Sequence, residues 1–166
     1  EQSDHDRERA THRSPFGGTI LAEGRDRGRR AILPQPGRRA RPSPTMFTVF
    51  KDFTFAAAHQ IRGHRGGCEN LHGHNYRVRV HVSAESLDAL GMVIDFADLK
   101  RIVASVVDPF DHRLINEIAP FDERNTTAEL LSQYVFDEVA KRLPAGRFLR
   151  RVEIWETDSS CAIYEP

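Results

Sequence analysis

In residues 74–82, HNYRVRVHV, apolar and polar side chains alternate without a break, with Tyr76, Val78, Val80 and Val82 on one side and Arg77, Arg79 and His81 on the other. Successive side chains of an extended chain point to opposite faces, so this segment is a strand with one face toward a core and one toward solvent. The preceding segment 47–59, FTVFKDFTFAAAH, keeps the same period at Phe53, Phe55, Ala57 and His59 and predicts a neighbouring strand. A polar loop through Gly63, Gly66 and Gly67 joins the two.

Further along, the period changes. After Gly91, Phe96, Leu99, Ile102, Val103 and Val106 form one helical stripe, with Asp95 placed as N-cap and Pro109 ending the helix. A second helix is expected to open at Thr126, where Thr126-x-x-Glu129 has capping-box form, and to carry Leu130, Leu131, Tyr134 and Val135 before stopping near Pro144. RRVEIWET and SCAIYE flank a turn at Asp158 to Ser160 and predict two closing strands. The order ββααββ is an α+β domain, an antiparallel sheet with its two helices on one face.

The chain has 166 residues with 24 basic and 24 acidic side chains, but the balance hides a division. Residues 1–45 hold 10 Arg and 6 acids, a net of +4, while residues 46–166 carry −4. The first segment has too few apolar residues to offset chain entropy, and Met46 directly precedes the first patterned strand. The expected organisation is a disordered Arg/Pro-rich extension over 1–45 and one domain over 46–166. That extension lacks the apolar core of a secretory signal, and its acids argue against an organelle transit peptide. No apolar run approaches the roughly 18 to 20 residues of a spanning helix. Two cysteines cannot make a disulfide framework. The expectation is a cytoplasmic protein with no membrane or nucleic-acid partner.

The chemistry concentrates in CENLHGH. Residues two apart on a strand share a face, so His72 and His74 can point at one ion, with Gly73 leaving backbone room. His59, at the end of the preceding strand, completes three imidazoles. For zinc that set leaves a fourth position for water or substrate, the arrangement of catalytic sites. His64 lies mid-loop without a fixed direction and is expected at the surface; His81 has the wrong strand parity. Cys68 is open to two readings, a fourth ligand closing a structural site or a base. Asp111-His112 bears on the second, because a His oriented by an Asp lowers the pKa of a nearby thiol, yet as neighbours in sequence the pair reads equally well as an exposed loop after Pro109.

The blocks FTFAAAH, CENLHGHNYRV, GMVIDFADLK, DHRLIN, NTTAELL and WETDSSCAIY, in this order from Met46 to the C-terminus, closely resemble the 6-pyruvoyltetrahydropterin synthase / 6-carboxytetrahydropterin synthase family. The Cys-x3-His-Gly-His spacing is similar to the bacterial, queuosine-pathway branch. The resemblance implies a tunnelling fold, in which ββααββ subunits trimerise and two trimers stack into a homohexamer with active sites at subunit interfaces. It also implies Zn2+ held by His59, His72 and His74, Cys68 as general base, Asp111 and His112 as a relay, Glu156 as the pterin anchor, and Thr126 and Thr127 in the pterin pocket. The implied reaction converts 7,8-dihydroneopterin triphosphate to 6-carboxy-5,6,7,8-tetrahydropterin with loss of acetaldehyde and triphosphate. Glu69, next to Cys68, resembles a subgroup in which a Glu replaces or supplements the Cys as base, a dual or folate-type activity giving 6-hydroxymethyl-7,8-dihydropterin; it reads equally as a solvated loop acid. A non-catalytic zinc and pterin-binding protein is the remaining alternative.

Overall fold

The two alternating segments pair with each other along their whole length. In the computed structural model, which describes residues 45–166, strand β1 (Phe47–His59) runs antiparallel to β2 (His72–Ala84), from Phe47 opposite Ala84 to His59 opposite His72. The expectation of a disordered extension over 1–45 lies, apart from Thr45, outside the described residues. Helix α1 spans Phe96–Val107, a two-residue strand β3 follows at Arg113–Leu114, helix α2 spans Ala128–Ala140, and β4 (Phe148–Thr157) and β5 (Ser160–Tyr164) close the chain. The sheet order is β3-β1-β2-β4-β5.

The fold is the expected α+β class, with one strand the periodicity did not predict. β3 lies parallel to β1, with Arg113 and Leu114 opposite Ala57 and Ala58. Two residues are too short for an alternation to show, so this edge is invisible to pattern reading.

One face of the sheet is buried. Tyr76, Val78, Val80 and Val82 of β2 and Val152 and Ile154 of β4 join Leu99, Val103 and Val106 of α1 and Leu131, Val135 and Val139 of α2 in a single core. Burying such a side chain contributes about 1.5–3 kcal/mol, so this one-sided layer is the main source of stability. Phe96, expected on the buried stripe, is instead half exposed, with Lys51 Nζ 5.7 Å above its ring. As the first residue of α1 it precedes the turn where the helix meets the sheet.

Asp95 caps α1 as expected, accepting from Ala97 N at 2.6 Å. The start of α2 is shifted by one residue from the capping-box reading. Thr127 is the N-cap and its Oγ1 accepts from Leu130 N, while the buried Thr126 hydroxyl donates to the Gln60 carbonyl at 3.1 Å. Thr126 is held by β1's continuation, so the next hydroxyl caps the helix and Glu129 no longer stands at the third helical position.

Removing that cap has a readable cost. Thr127→Ala is expected to destabilise the protein by about 1 kcal/mol, measured by urea unfolding, whereas Glu129→Ala should cost less than half as much; the reverse ranking would restore the capping box at Thr126.

Candidate functional site

Register brings the three histidines together. His59 is directly opposite His72, and Ala57 is opposite His74, so all three imidazoles leave the sheet on its covered face. Gly73, between the two histidines on β2, faces Ala58, and a Cβ there would stand 3.3 Å from the Ala57 carbonyl oxygen. A side chain at 73 would push the strands apart at the point where His59 and His72 must meet.

Main-chain carbonyls set the tautomers. His59 Nδ1 is 2.9 Å from the Thr126 carbonyl and His72 Nδ1 is 2.7 Å from the Asn70 carbonyl. A carbonyl only accepts, so each Nδ1 carries a proton, and in the neutral ring each Nε2 then presents a lone pair. Yet the two Nε2 atoms are 3.1 Å apart. Two lone pairs do not attract each other, but two nitrogens about 2.0–2.1 Å from one ion at a tetrahedral angle stand roughly 3.3 Å apart. Ligand atoms of His59, His72 and His74 all lie within 4.8 Å of one another, a group that could hold a metal ion. Burial holds His59 below the ordinary imidazole value, which the Thr126 carbonyl opposes and the neighbouring His72 and His74 reinforce. The ring therefore stays neutral and able to ligate.

Two polar atoms beside the histidines are buried without a hydrogen-bond partner among the described residues, Glu156 Oε1 and Tyr76 Oη. Glu156 Oε1 is 3.9 Å from His59 Nε2. Burial raises the Glu156 carboxyl above the usual glutamate range, opposed by His74 and His72 and reinforced by Glu129. Burial, with Glu156 nearby, also pushes the Tyr76 phenol up. Native interiors rarely leave such groups unpaired, so both are suited to meet a bound molecule. A cleft of about 500 Å³ opens here, lined by His74, Arg77, Trp155 and Glu156 among others.

The other expected residues are placed less centrally. Cys68 is a half-buried free thiol in a 3-10 turn, Gly67–Glu69, whose position is held by Ile61 N donating to the Cys68 carbonyl at 2.8 Å; its sulfur is not in the ligand group. Glu69, in the same turn, is exposed. Asp111 and His112 do face each other, with Nδ1 and Oδ2 3.0 Å apart, because His112 adopts a positive φ of 56° that folds its ring back. Both are tied to β1 at Ala56, whose N–H donates to Asp111 Oδ1 and whose carbonyl accepts from His112 N. That N–H, then His112, holds Asp111 below the usual carboxylate range. Thr126 and Thr127 stand at the start of α2 with hydroxyls engaged as described above. His64 is exposed. His81 is on the opposite face of the sheet, 2.6 Å from Glu153.

Sequence reasoning did not find Tyr76 as a site residue, nor the Thr126 and Asn70 carbonyls. Tyr76 shares strand parity with His72 and His74, which could have signalled it; a carbonyl carries no signal, since every residue has one.

Residues 48–166 match the family model described as 6-pyruvoyl tetrahydropterin synthase. The 6-carboxy-5,6,7,8-tetrahydropterin synthase of Haemophilus influenzae is 33% identical over 142 residues, covering 72% of this chain and 99% of that protein. The enzyme of the same description from Synechocystis is 35% identical over 124 residues, covering 72% and 93%. Among solved structures, the 6-pyruvoyl tetrahydropterin synthase of Caenorhabditis elegans superimposes with a TM-score of 0.66 at 28% identity, covering 74% of this chain and 96% of that one.

The raised Glu156 carboxyl has a pH signature. In metal-free protein the folded state favours the neutral acid, so this stabilisation is present below the ordinary glutamate range and is lost as pH rises through the raised value. Glu156→Gln, neutral throughout, is expected to gain stability relative to the parent chain as pH climbs through that window in urea unfolding with excess chelator. A difference that stays constant with pH would remove the assignment.

Proposed function

The chain belongs to the 6-pyruvoyl tetrahydropterin synthase family, and we propose that it is a zinc-dependent 6-carboxy-5,6,7,8-tetrahydropterin synthase, a carbon–carbon lyase acting on 7,8-dihydroneopterin triphosphate with release of acetaldehyde and triphosphate. The observation that carries this reading is the pair of Nε2 lone pairs 3.1 Å apart, each ring committed to a carbonyl through Nδ1. Three imidazoles suit zinc and leave room for substrate oxygen. When bound, the ion supplies Lewis-acid polarisation of the substrate's side-chain hydroxyls.

The remaining roles belong to this chain's own groups. Glu156 anchors the pterin: its carboxylate accepts from the ring N–H and the 2-amino group, a bidentate match that offsets the cost of burying its charge. Cys68 is the general base that takes a proton from the substrate side chain. Its half-buried position in the β1–β2 loop supports this, as does its absence from the group of histidine donors, which disfavours a closed four-ligand site. Asp111 orients His112, and the pair tunes a thiol of a neighbouring subunit from the sheet edge, where the His112 ring is 81% exposed. Thr126 and Thr127 flank the pterin pocket from the start of α2.

An exposed relay needs a partner copy, and the sheet supplies edges for one. Among the described residues, β1 is paired on its outer side only at Ala57 and Ala58, and β5 has a neighbour only in β4. Unpaired edges of this kind accept strands from another chain. The assembly proposed is a homohexamer, two stacked trimers, working in the cytoplasm in the biosynthesis of queuosine or another 7-deazapurine. No helix among the described residues is long and apolar enough to cross a membrane.

Mass spectrometry of the products formed from 7,8-dihydroneopterin triphosphate tests the reaction. The zinc-loaded protein is expected to yield 6-carboxytetrahydropterin, Cys68→Ala to keep zinc and lose at least about 100-fold in turnover, and Glu156→Ala to lose pterin affinity with zinc retained. Formation of 6-hydroxymethyldihydropterin that disappears in Glu69→Ala would move the activity to the folate type. Zinc and pterin binding without turnover would make the chain a binding protein.

A further inference from the structure

Beyond the ligands themselves, the segment 60–62 that follows His59 is tied to the segment 116–126 by an unusual density of side-chain hydrogen bonds. The buried amide of Asn116 pairs reciprocally with the main chain of Gln60, accepting from Gln60 N at 2.8 Å and donating to Gln60 O at 2.9 Å. Asn125 repeats the arrangement one residue-pair along, accepting from Arg62 N at 2.9 Å and donating to Arg62 O at 3.2 Å. The Arg62 guanidinium then donates to three carbonyls, those of Phe121 at 3.1 Å, Arg124 at 3.0 Å and Asn116 at 3.1 Å. Three carbonyls gathered around one cation leave the intervening chain little freedom.

What this network holds in place is the Thr126 carbonyl. Thr126 comes directly after Asn125, its hydroxyl donates to Gln60 O, and its carbonyl accepts from His59 Nδ1. Gln60 in turn comes directly after His59. Both partners of the bond that decides the His59 tautomer are therefore pinned by the same set of side chains. Main-chain partners of ligating histidines raise metal affinity by orienting the ring, and losing such support lowers it about 10–100-fold.

We propose that Arg62 and Asn116 are positioning residues of the metal centre, which lock His59 into the Nδ1-protonated form by clamping the 116–126 segment against the end of β1. This rests on the metal reading given above, but the tautomer itself is a property of the metal-free protein and can be observed without any ion.

The test pairs Arg62→Met with Asn116→Ala in the full chain. Arg62 lies at the surface, so Arg62→Met is expected to fold whether or not Asn116→Ala does. Long-range ¹H–¹⁵N correlation of the imidazoles in chelator-treated protein should show a single Nδ1-protonated form of His59 in the parent chain and a mixture of tautomers in Arg62→Met. Cobalt titration followed by its visible absorption should show affinity lower by about 10–100-fold, with circular dichroism unchanged. An unchanged His59 signal together with parental cobalt affinity in folded Arg62→Met would overturn the proposal. Failure of the parent chain to bind cobalt or zinc would instead overturn the metal reading, and the His59 tautomer would still decide the clamp.

Discussion

The antiparallel register between β1 and β2 is the constraint on which the site depends. Setting His59 against His72 makes the last pair of the ladder the first pair of the candidate metal site, and the period of two puts His74 on the same face. A slip of one residue would send His59 to the solvent face and leave two imidazoles with no third. The hydrophobic pattern opposes such a slip, because it would also expose Phe55 and Ala57, which are buried in the core. The same alternation that builds the core therefore builds the site.

Burial does the second part of the work. Within one pocket the structure places a fully buried imidazole, a carboxyl with an unpaired oxygen and a phenol with an unpaired hydroxyl. For each, the loss of water shifts the balance toward the neutral form, because burial costs a charged group far more than a neutral one. Such a pocket is a poor place for bare charge and a good place for a cation plus a ligand that returns the missing hydrogen bonds. It lies where the helix-covered face ends and the cleft begins, so the sheet supplies rigidity while the opening supplies access.

The loops are organised around main-chain atoms. The Thr126 and Asn70 carbonyls decide which nitrogen of each ring carries a proton, and Arg62, Asn116 and Asn125 hold one of those carbonyls still. The displacement of the α2 cap from Thr126 to Thr127 belongs to the same economy of groups: a hydroxyl engaged by Gln60 cannot also cap a helix. His112 shows the converse case, where an uncommon backbone conformation lets two residues adjacent in sequence hydrogen-bond to each other.

Much of this was legible beforehand. Alternation at 47–59 and 74–82 and the stripes of the two helices fixed the α+β class, and His59, His72 and His74 were recoverable as a set because strand parity and ligand chemistry are carried by the residues themselves. The rest was decided only in three dimensions. The two-residue β3 is too short to have a period, Phe96 is exposed by where α1 meets the sheet, and the tautomers depend on carbonyls that every residue owns and no side chain advertises. Sequence determines which donors exist and which face they share; the tertiary structure decides which of them meet, because meeting depends on register, on loop closure and on hydrogen bonds between segments more than fifty residues apart.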